Sequence, residues 1–204
     1  MLFRKNKHAL EIYNDLNNDL VNLFRCAKYH SGELQREISG YLNSREIFDE
    51  IKTKMNITGF TDIQRAGMFY ILNKISYGSN MRTFGGRKRN LSGEYLSEIS
   101  GRLKDVVIEN LDFEYLIKKY DHPKALFYCD PPYISTERYY ESVFKHDDHE
   151  RLRTVLGEIQ GKFILSYNDS EYIRELYRDF EFATTERQNN LSKGLYKELI
   201  IKNF

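Results

Sequence analysis

The apolar stretch Ala125-Leu126-Phe127-Tyr128-Cys129 runs for the length of a β-strand and stops at Asp130-Pro131-Pro132-Tyr133. Strands buried in a parallel sheet have this unbroken apolar character. Neither proline has the N–H that a central strand must donate, so the chain leaves the sheet there. Asp130 and Tyr133 are therefore expected in the loop at a strand's C-terminal edge, where open α/β sheets bind their ligands. A lone Asp-Pro-Pro would read as an ordinary strand exit. This chain, however, has only three prolines in 204 residues, and two of them stand here. Chance assembly of the tetrapeptide in such a chain is on the order of one in a thousand, so it is weighed as a motif.

The surrounding sequence predicts the sheet that such a strand needs. Residues 8–14 alternate as a strand closed by Asp15, and Asn14 and Asn17 are N-cap candidates for a helix carrying Leu16, Leu20, Leu23 and Phe24. Further helix is expected over 31–54, with Leu34, Ile38, Ile47 and Ile51 on one side, and again from Asp62 to Ile75. About ninety residues after the first strand are thus mostly helical, too many for a simple crossover, and form a candidate second subdomain. After a short helix near 94–103, strands are expected at 105–109, 125–129 and 162–167. Helices are expected after Asn110 or Asp112 as cap, over 149–159 and over 170–177. Residues 180–185 and 197–202 close as an antiparallel pair through a polar turn around Asn189-Asn190. This alternation predicts a three-layer α/β fold with a mixed sheet.

A formal net charge of +1 names no partner, so any electrostatic signal must be local. One exists: between Ile63 and Gly93 there is no acidic residue, while Arg65, Lys74, Arg82, Arg87, Lys88 and Arg89 are present. At the chain's average composition about four or five acids would fall in such a window. Its second half, from Tyr77 through Asn80 and Phe84 to Gly93, is a basic, glycine-containing loop suited to phosphates and bases; a solvated loop is the alternative. No apolar run approaches membrane-span length, and Met1-Leu2-Phe3 gives way at once to Arg4, Lys5 and Lys7, so neither a span nor a signal peptide is expected. Two cysteines, Cys26 and Cys129, make no disulfide framework, which fits a reducing cytoplasm; Cys129 is expected buried and inert.

Other candidates have plain explanations beside them. His146-Asp147-Asp148-His149 has ligand-like residues, but Asp147 or Asp148 is a good helix cap and no third ligand stands out, so no metal is expected. Ser166-Tyr167-Asn168-Asp169 either lines a pocket on the same sheet edge or forms a turn. Tyr139, Tyr140 and Phe144 either close over a base or pack.

Taken in order, these segments resemble the D12 class of adenine-N6 DNA methyltransferases, over nearly the whole chain. Asp130 to Tyr133 matches the family's catalytic tetrad. Ile12-Tyr13-Asn14-Asp15 is similar to the segment whose acid binds the ribose of S-adenosylmethionine, and Asn110-Leu111-Asp112-Phe113 to the one whose Asp-Phe frames the cofactor's adenine. Glu198 to Phe204 resembles the closing strand. The resemblance implies a Rossmann-like methyltransferase domain made of residues 1–16 and 104–204. A helical insertion, 17–103, would carry the target-recognition loop, with Tyr77, Asn80, Arg82, Arg87, Lys88 and Arg89 on double-stranded DNA. It also implies that Asp130, Pro131, Pro132 and Tyr133 do the chemistry on a flipped adenine, and that Asp15, Asp112, Phe113 and Asp130 hold the cofactor.

One departure stands out. The family's first central strand and its Phe-x-Gly-x-Gly turn are absent, since the first glycine of this sequence is Gly32. That strand would lie between those ending at Asp15 and Cys129. The sequence therefore reads as a site-specific DNA adenine-N6 methyltransferase lacking its N-terminal cofactor motif, either monomeric or completed by an upstream fragment. The alternatives are a remnant that at most binds DNA, and a methyltransferase acting on RNA or a protein amide. Whether a restriction system, a phage or a solitary gene would carry it is left open.

Overall fold

The computed structural model describes residues 2–86, 91–134, 144–188 and 195–204. By packing, the chain divides into two units, Met1–Asn110 and Leu111–Phe204.

The first unit holds two short parallel strands, β1 (Glu11–Asn14) and β2 (Val106–Glu109), paired in register from Glu11↔Val106 to Asn14↔Glu109. Between them run α1 (Asn18–Tyr29), α2 (Ser31–Ser39), α3 (Arg45–Lys54), α4 (Asp62–Ile75) and α5 (Leu96–Leu103). Of the two cap candidates, Asn17 starts α1: its backbone is extended and its side chain accepts from the N–H groups of Asp19 and Leu20. The single helix expected over 31–54 is two. Gly40 caps the end of α2, and Ser44 opens α3 by accepting from Ile47 N–H. The periodicity carried through this break because Ile38 and Ile47 both lie against the same core.

α4 is the centre of this unit. Thr61 and Gln64 close a capping box at its start, and Ala66 to Leu72 and Ile75 are all buried. A residue buried on every side belongs to the middle of a helical layer. Gly67 lets α2 approach, since a Cβ there would lie 2.7 Å from the side chain of Glu37.

At the start of β1, Glu11 is buried and accepts from Arg102 at 2.6 and 2.9 Å, and also pairs with Lys5. Arg102 also donates to the carbonyl of Leu2 at 2.9 Å. The Arg102 guanidinium, helped by Lys5 and opposed by burial, pulls the Glu11 carboxyl down to about 2. A carboxyl with a lowered folded-state pKa stabilises the protein above its unfolded value, and that contribution is lost as pH falls toward the folded one. Thermal melts should therefore show stability falling from about pH 4.5 toward pH 2, with this slope weakened in Glu11→Gln. Glu11→Ala, which leaves Arg102 without its counter-charge, should cost about 3 kcal/mol at neutral pH.

The second unit is a mixed sheet with helices α6 (Phe113–Tyr120), α7 (Asp147–Glu158) and α8 (Glu171–Leu176). The strands are β3 (Leu126–Cys129), β4 (Lys162–Asn168), β5 (Glu181–Gln188) and β6 (Leu195–Lys202), in the order β3-β4-β6-β5. β3 and β4 are parallel, while β6 is antiparallel to both β4 and β5. The turn expected around Asn189-Asn190 lies outside the described residues. Phe163, Leu165 and Tyr167 alternate along one face of β4 and pack with Leu199, Ile201 and the buried sides of all three helices. Asp112 caps α6, accepting from Glu114 and Tyr115 N–H, and Ser170 caps α8. The cap expected from Asp147 or Asp148 is not formed. His146 holds the cap position of α7 without a side-chain capping bond, and Asp148 accepts from the backbone N–H of Lys145 at 2.7 Å.

β3 departs from the expectation of a strand buried on both sides. Leu126 is 58% and Tyr128 is 40% exposed. Among the described residues β3 pairs only with β4, and these two side chains alternate away from the face that carries the helices. An apolar run signals burial in a complete sheet, and among the described residues no strand pairs with the other edge of β3. Among the described residues, no helix is long and apolar enough to cross a membrane.

Candidate active site

The parallel pairing of β3 with β4 puts Asp130 one residue beyond the end of β3 and next to Ser166. Ser166 is almost fully buried, and its hydroxyl donates to Asp130 Oδ1 at 2.8 Å. The Asp130 side is exposed, so a carboxylate with one oxygen held from behind faces outward. Pro131 and Pro132 carry the chain away from the sheet, and no cis peptide bond is involved. Ile134 N–H then donates to Asn168 Oδ1 at 3.1 Å, which fixes the backbone just after the tetrapeptide. Between these two anchors, the Tyr133 hydroxyl donates to Glu198 of β6. In the antiparallel register Glu198 faces Asn168 and Ile200 faces Ser166, so the three anchoring side chains share one sheet face at its edge.

A second layer sits under Tyr133. Its ring lies 6.3 Å from that of Tyr167, whose hydroxyl meets His149 Nδ1 at 2.6 Å. His149 is buried, with Phe144 and His146 against its ring. The His146–His149 pair is thus part of an aromatic layer, and among the described residues no group of three His, Cys, Asp or Glu is placed to hold a metal ion. Phe144 packs inward, against Phe113 as well as His149; Tyr139 and Tyr140 lie outside the described residues. Cys129 is partly buried, and burial together with the Asp130 charge pushes its thiol up to about 12, which makes it a poor nucleophile at neutral pH.

Asp112 and Phe113 open α6 in the same unit. Besides capping the helix, Asp112 Oδ1 accepts from Arg151 at 3.0 Å, and the Arg151 guanidinium lies 4.8 Å from the Phe113 ring centre. Asp148, Glu114 and Asp112 together push the Arg151 pKa above its ordinary value, with Asp148 the strongest. Sequence alone shows Asp-Phe but not this arginine, because residue 151 comes from another helix.

In the first unit Asp15 follows β1, at the C-terminal end of the parallel pair. Its Oδ1 accepts from Asn17 N–H at 2.8 Å, and its carbonyl accepts from the Asn110 side chain, which follows β2, at 2.7 Å. Asp15 and Asn110 are therefore joined where both strands end. Further along, the start of the acid-free window forms a tight loop. Tyr77 N–H donates to Thr83 carbonyl at 2.7 Å, Gly85 N–H to Ile75 carbonyl at 2.8 Å, and Ser76 bridges to Phe84. Gly85 is required by this closeness, since a Cβ would meet the backbone of Ile75 and Ser76 at 3.0 Å. Asn80 Oδ1 holds the turn by accepting from Arg82 and Thr83 N–H, and Ser79 and Met81 take left-handed φ values of 59° and 55°. Tyr77 and Arg82 are exposed. Phe84 instead packs on the core against Phe48, with Arg45 over its ring, so it is not presented to a base. Arg87, Lys88 and Arg89 lie outside the described residues.

Ser166 and Glu198 are the additions that the structure makes to the tetrapeptide. Ser166 was one of two readings of its segment. Glu198 carried a signal that sequence reasoning passed over: an acid set directly before Leu199-Ile200-Ile201 in a strand-like run.

Comparison with known proteins gives the family of the chain that carries this arrangement. The model of the D12 class N6 adenine-specific DNA methyltransferases matches residues 2–191. Among the most similar relatives, the Type II methyltransferase M.MjaIII of Methanocaldococcus jannaschii is 27% identical, with all of this chain and 83% of that protein covered. The Type II methyltransferase M.CviBI of Paramecium bursaria Chlorella virus NC1A is 25% identical, with 90% and 74% covered. The DNA adenine methylase of Haemophilus influenzae is 23% identical, with 94% and 75% covered. With nearly its whole length matched, the chain belongs to the D12 class of N6 adenine-specific DNA methyltransferases.

Proposed function

We propose that this DNA adenine-N6 methyltransferase works on an adenine flipped out of the duplex, with Asp130, Pro131, Pro132 and Tyr133 as the methyl-accepting half of its site. The observation that carries this reading is the anchoring of Asp130 by Ser166, which leaves the rest of the carboxylate facing outward. The N6 amine of adenine is a weak nucleophile because its lone pair is delocalised into the ring. Two acceptors that take both of its N–H bonds favour a tetrahedral nitrogen with its lone pair aimed at the incoming methyl. The Asp130 carboxylate is one acceptor and the Pro131 carbonyl the other, with the proline ring limiting φ so that the carbonyl is aimed before the base arrives. The Tyr133 ring stacks the extruded base. Rate then comes chiefly from positioning.

S-adenosylmethionine, when bound, supplies an electrophilic methyl group on its sulfonium. The donor set suits it. Asp15 is a half-buried acid at the C-terminal end of the parallel pair, where its carboxylate, held by Asn17 N–H and the Tyr13 hydroxyl, would accept from a ribose diol. By the family resemblance, Asp112 and Phe113 would hold the cofactor's adenine, and Asp130 would also contact the cofactor. The catalytic domain comprises residues 1–16 and 104–204, and residues 17–103 form the target-recognition insertion. This division is supported by the parallel pairing of β1 and β2, which makes α1 to α5 one long excursion between neighbouring strands, although its core also takes in Val106 and Tyr13 of those strands. Tyr77, Asn80, Arg82, Arg87, Lys88 and Arg89 meet DNA, with Asn80 shaping the loop.

The open edge of β3 has a place in this reading. Exposed Leu126 and Tyr128 on a strand with one partner fit a sheet that takes a further strand at that edge, as the family resemblance implies. Supplying such a strand with its glycine-rich turn, as a separate chain or a fusion, should raise both the melting temperature and cofactor affinity in calorimetry. No change in either would contradict it.

The function is tested by incubating the chain and labelled S-adenosylmethionine with unmethylated duplex DNA, RNA or unmodified protein. Label should enter the duplex. Label in RNA or protein alone would replace the substrate assignment.

A further inference from the structure

We propose that Glu198 is a positioning residue for methyl transfer, acting through Tyr133; the inference rests on the reading of Tyr133 as the stacking face for the adenine. Glu198 is 2% exposed. A carboxylate in such a place is costly to desolvate, and a leucine of similar size would avoid that cost and extend the apolar run of β6. A local rule broken this way, without evident gain to the core, marks a functional position more often than a structural one. Glu198 accepts from the Tyr133 hydroxyl. Phenol to carboxylate is a charge-assisted bond, shorter and stronger than one between neutral groups.

The geometry explains why the ring needs this. Tyr133 stands in a loop that has just left the sheet. The bond from Ile134 N–H to Asn168 fixes the backbone but not the side chain. Tyr167, 6.3 Å away at an interplanar angle of 44°, touches the ring without fixing its rotation. A bond at the far end of the side chain, to a strand residue that cannot move, sets the plane that a flipped base would meet. The anchor comes from β6, next to β4, whose Ser166 holds Asp130. Acceptor and stacking face are thus referenced to adjacent strands of one sheet.

The test compares Glu198→Leu, Glu198→Gln, Tyr133→Phe and the Glu198→Leu/Tyr133→Phe double variant, in methyl transfer to unmethylated genomic DNA and in thermal unfolding. Glu198→Leu should lower kcat by about 30-fold with KM for DNA and cofactor changed by less than about threefold, since misplacement acts on the reacting geometry. Its melting temperature should stay within about 5 °C of the unaltered protein's, since the apolar side chain offsets the acceptor lost to the Tyr133 hydroxyl. Glu198→Gln keeps an oxygen acceptor and should recover most of the rate. Tyr133→Phe should fall as far as Glu198→Leu, and the double variant no further, because both remove one bond. Additive losses, or a rate that falls only in step with stability, would overturn the proposal. No transfer by the unaltered chain would remove the functional reading and this inference with it. Full transfer by Glu198→Leu would remove this inference alone.

Discussion

Alanine at position 130 is expected to reduce methyl transfer by about a thousandfold or more while leaving the protein folded and its DNA affinity within about twofold. The size follows from the role. In the proposed role Asp130 supplies an acceptor where positive charge develops on N6, and removing one preorganised partner of a developing charge costs that order of rate. The small effect on folding follows from its surroundings. The side chain is exposed, and the loss leaves only the Ser166 hydroxyl without its acceptor at a buried position, a penalty of about 1 kcal/mol. Asparagine should fall between the two. It keeps an oxygen for one bond, but its amide lacks the charge and presents N–H groups where an acceptor is needed. A loss of DNA binding equal to the loss of transfer, in a folded variant, would move Asp130 from chemistry to binding. Transfer is followed with labelled cofactor, binding by fluorescence anisotropy and folding by circular dichroism.

The second large effect is expected from the basic stretch. Changing Arg87, Lys88 and Arg89 together to alanine should weaken duplex binding by at least about tenfold at low salt. It should also flatten the dependence of log affinity on log salt by about three charges' worth. Contacts of this kind go to phosphate and do not read bases, so the loss should be similar for every sequence tested. Arg82→Ala alone, in the loop shaped by Asn80, should remove about one unit of that slope. Titrations at several salt concentrations measure both. An unchanged slope would mean that these cations face solvent and that DNA is held elsewhere.

How far the sequence anticipates the structure depends on the range of the interactions concerned. α4 was legible over Asp62–Ile75 because its capping box and its apolar content are local. The alternation of strands and helices and the antiparallel β5–β6 pair were legible, although among the described residues the strands form two sheets, β1-β2 and β3-β4-β6-β5. The break between α2 and α3 was missed because apolar periodicity continues across Gly40, although glycine there and Ser44 beyond it were the signals. The exposure of β3 could not be read from its own residues, since Leu126 and Tyr128 look alike in a complete or an open sheet. The tetrapeptide announced the site through composition, while its supports did not. Ser166, Asn168 and Glu198 reach Asp130, Ile134 and Tyr133 only through strand pairing, across sequence separations that no local pattern records. Phe84 shows the converse: an aromatic among cations suits a base, yet tertiary packing claimed it for the core.

In the proposed mechanism Asp130 and its neighbours present adenine N6 for methylation. It is tested most directly by digesting unmethylated duplex DNA to nucleosides after treatment with the chain and S-adenosylmethionine. N6-methyldeoxyadenosine is the expected product, formed by the unaltered protein and missing with Asp130→Ala. A methylated cytosine, or N6-methyldeoxyadenosine formed equally well by Asp130→Ala, would contradict it.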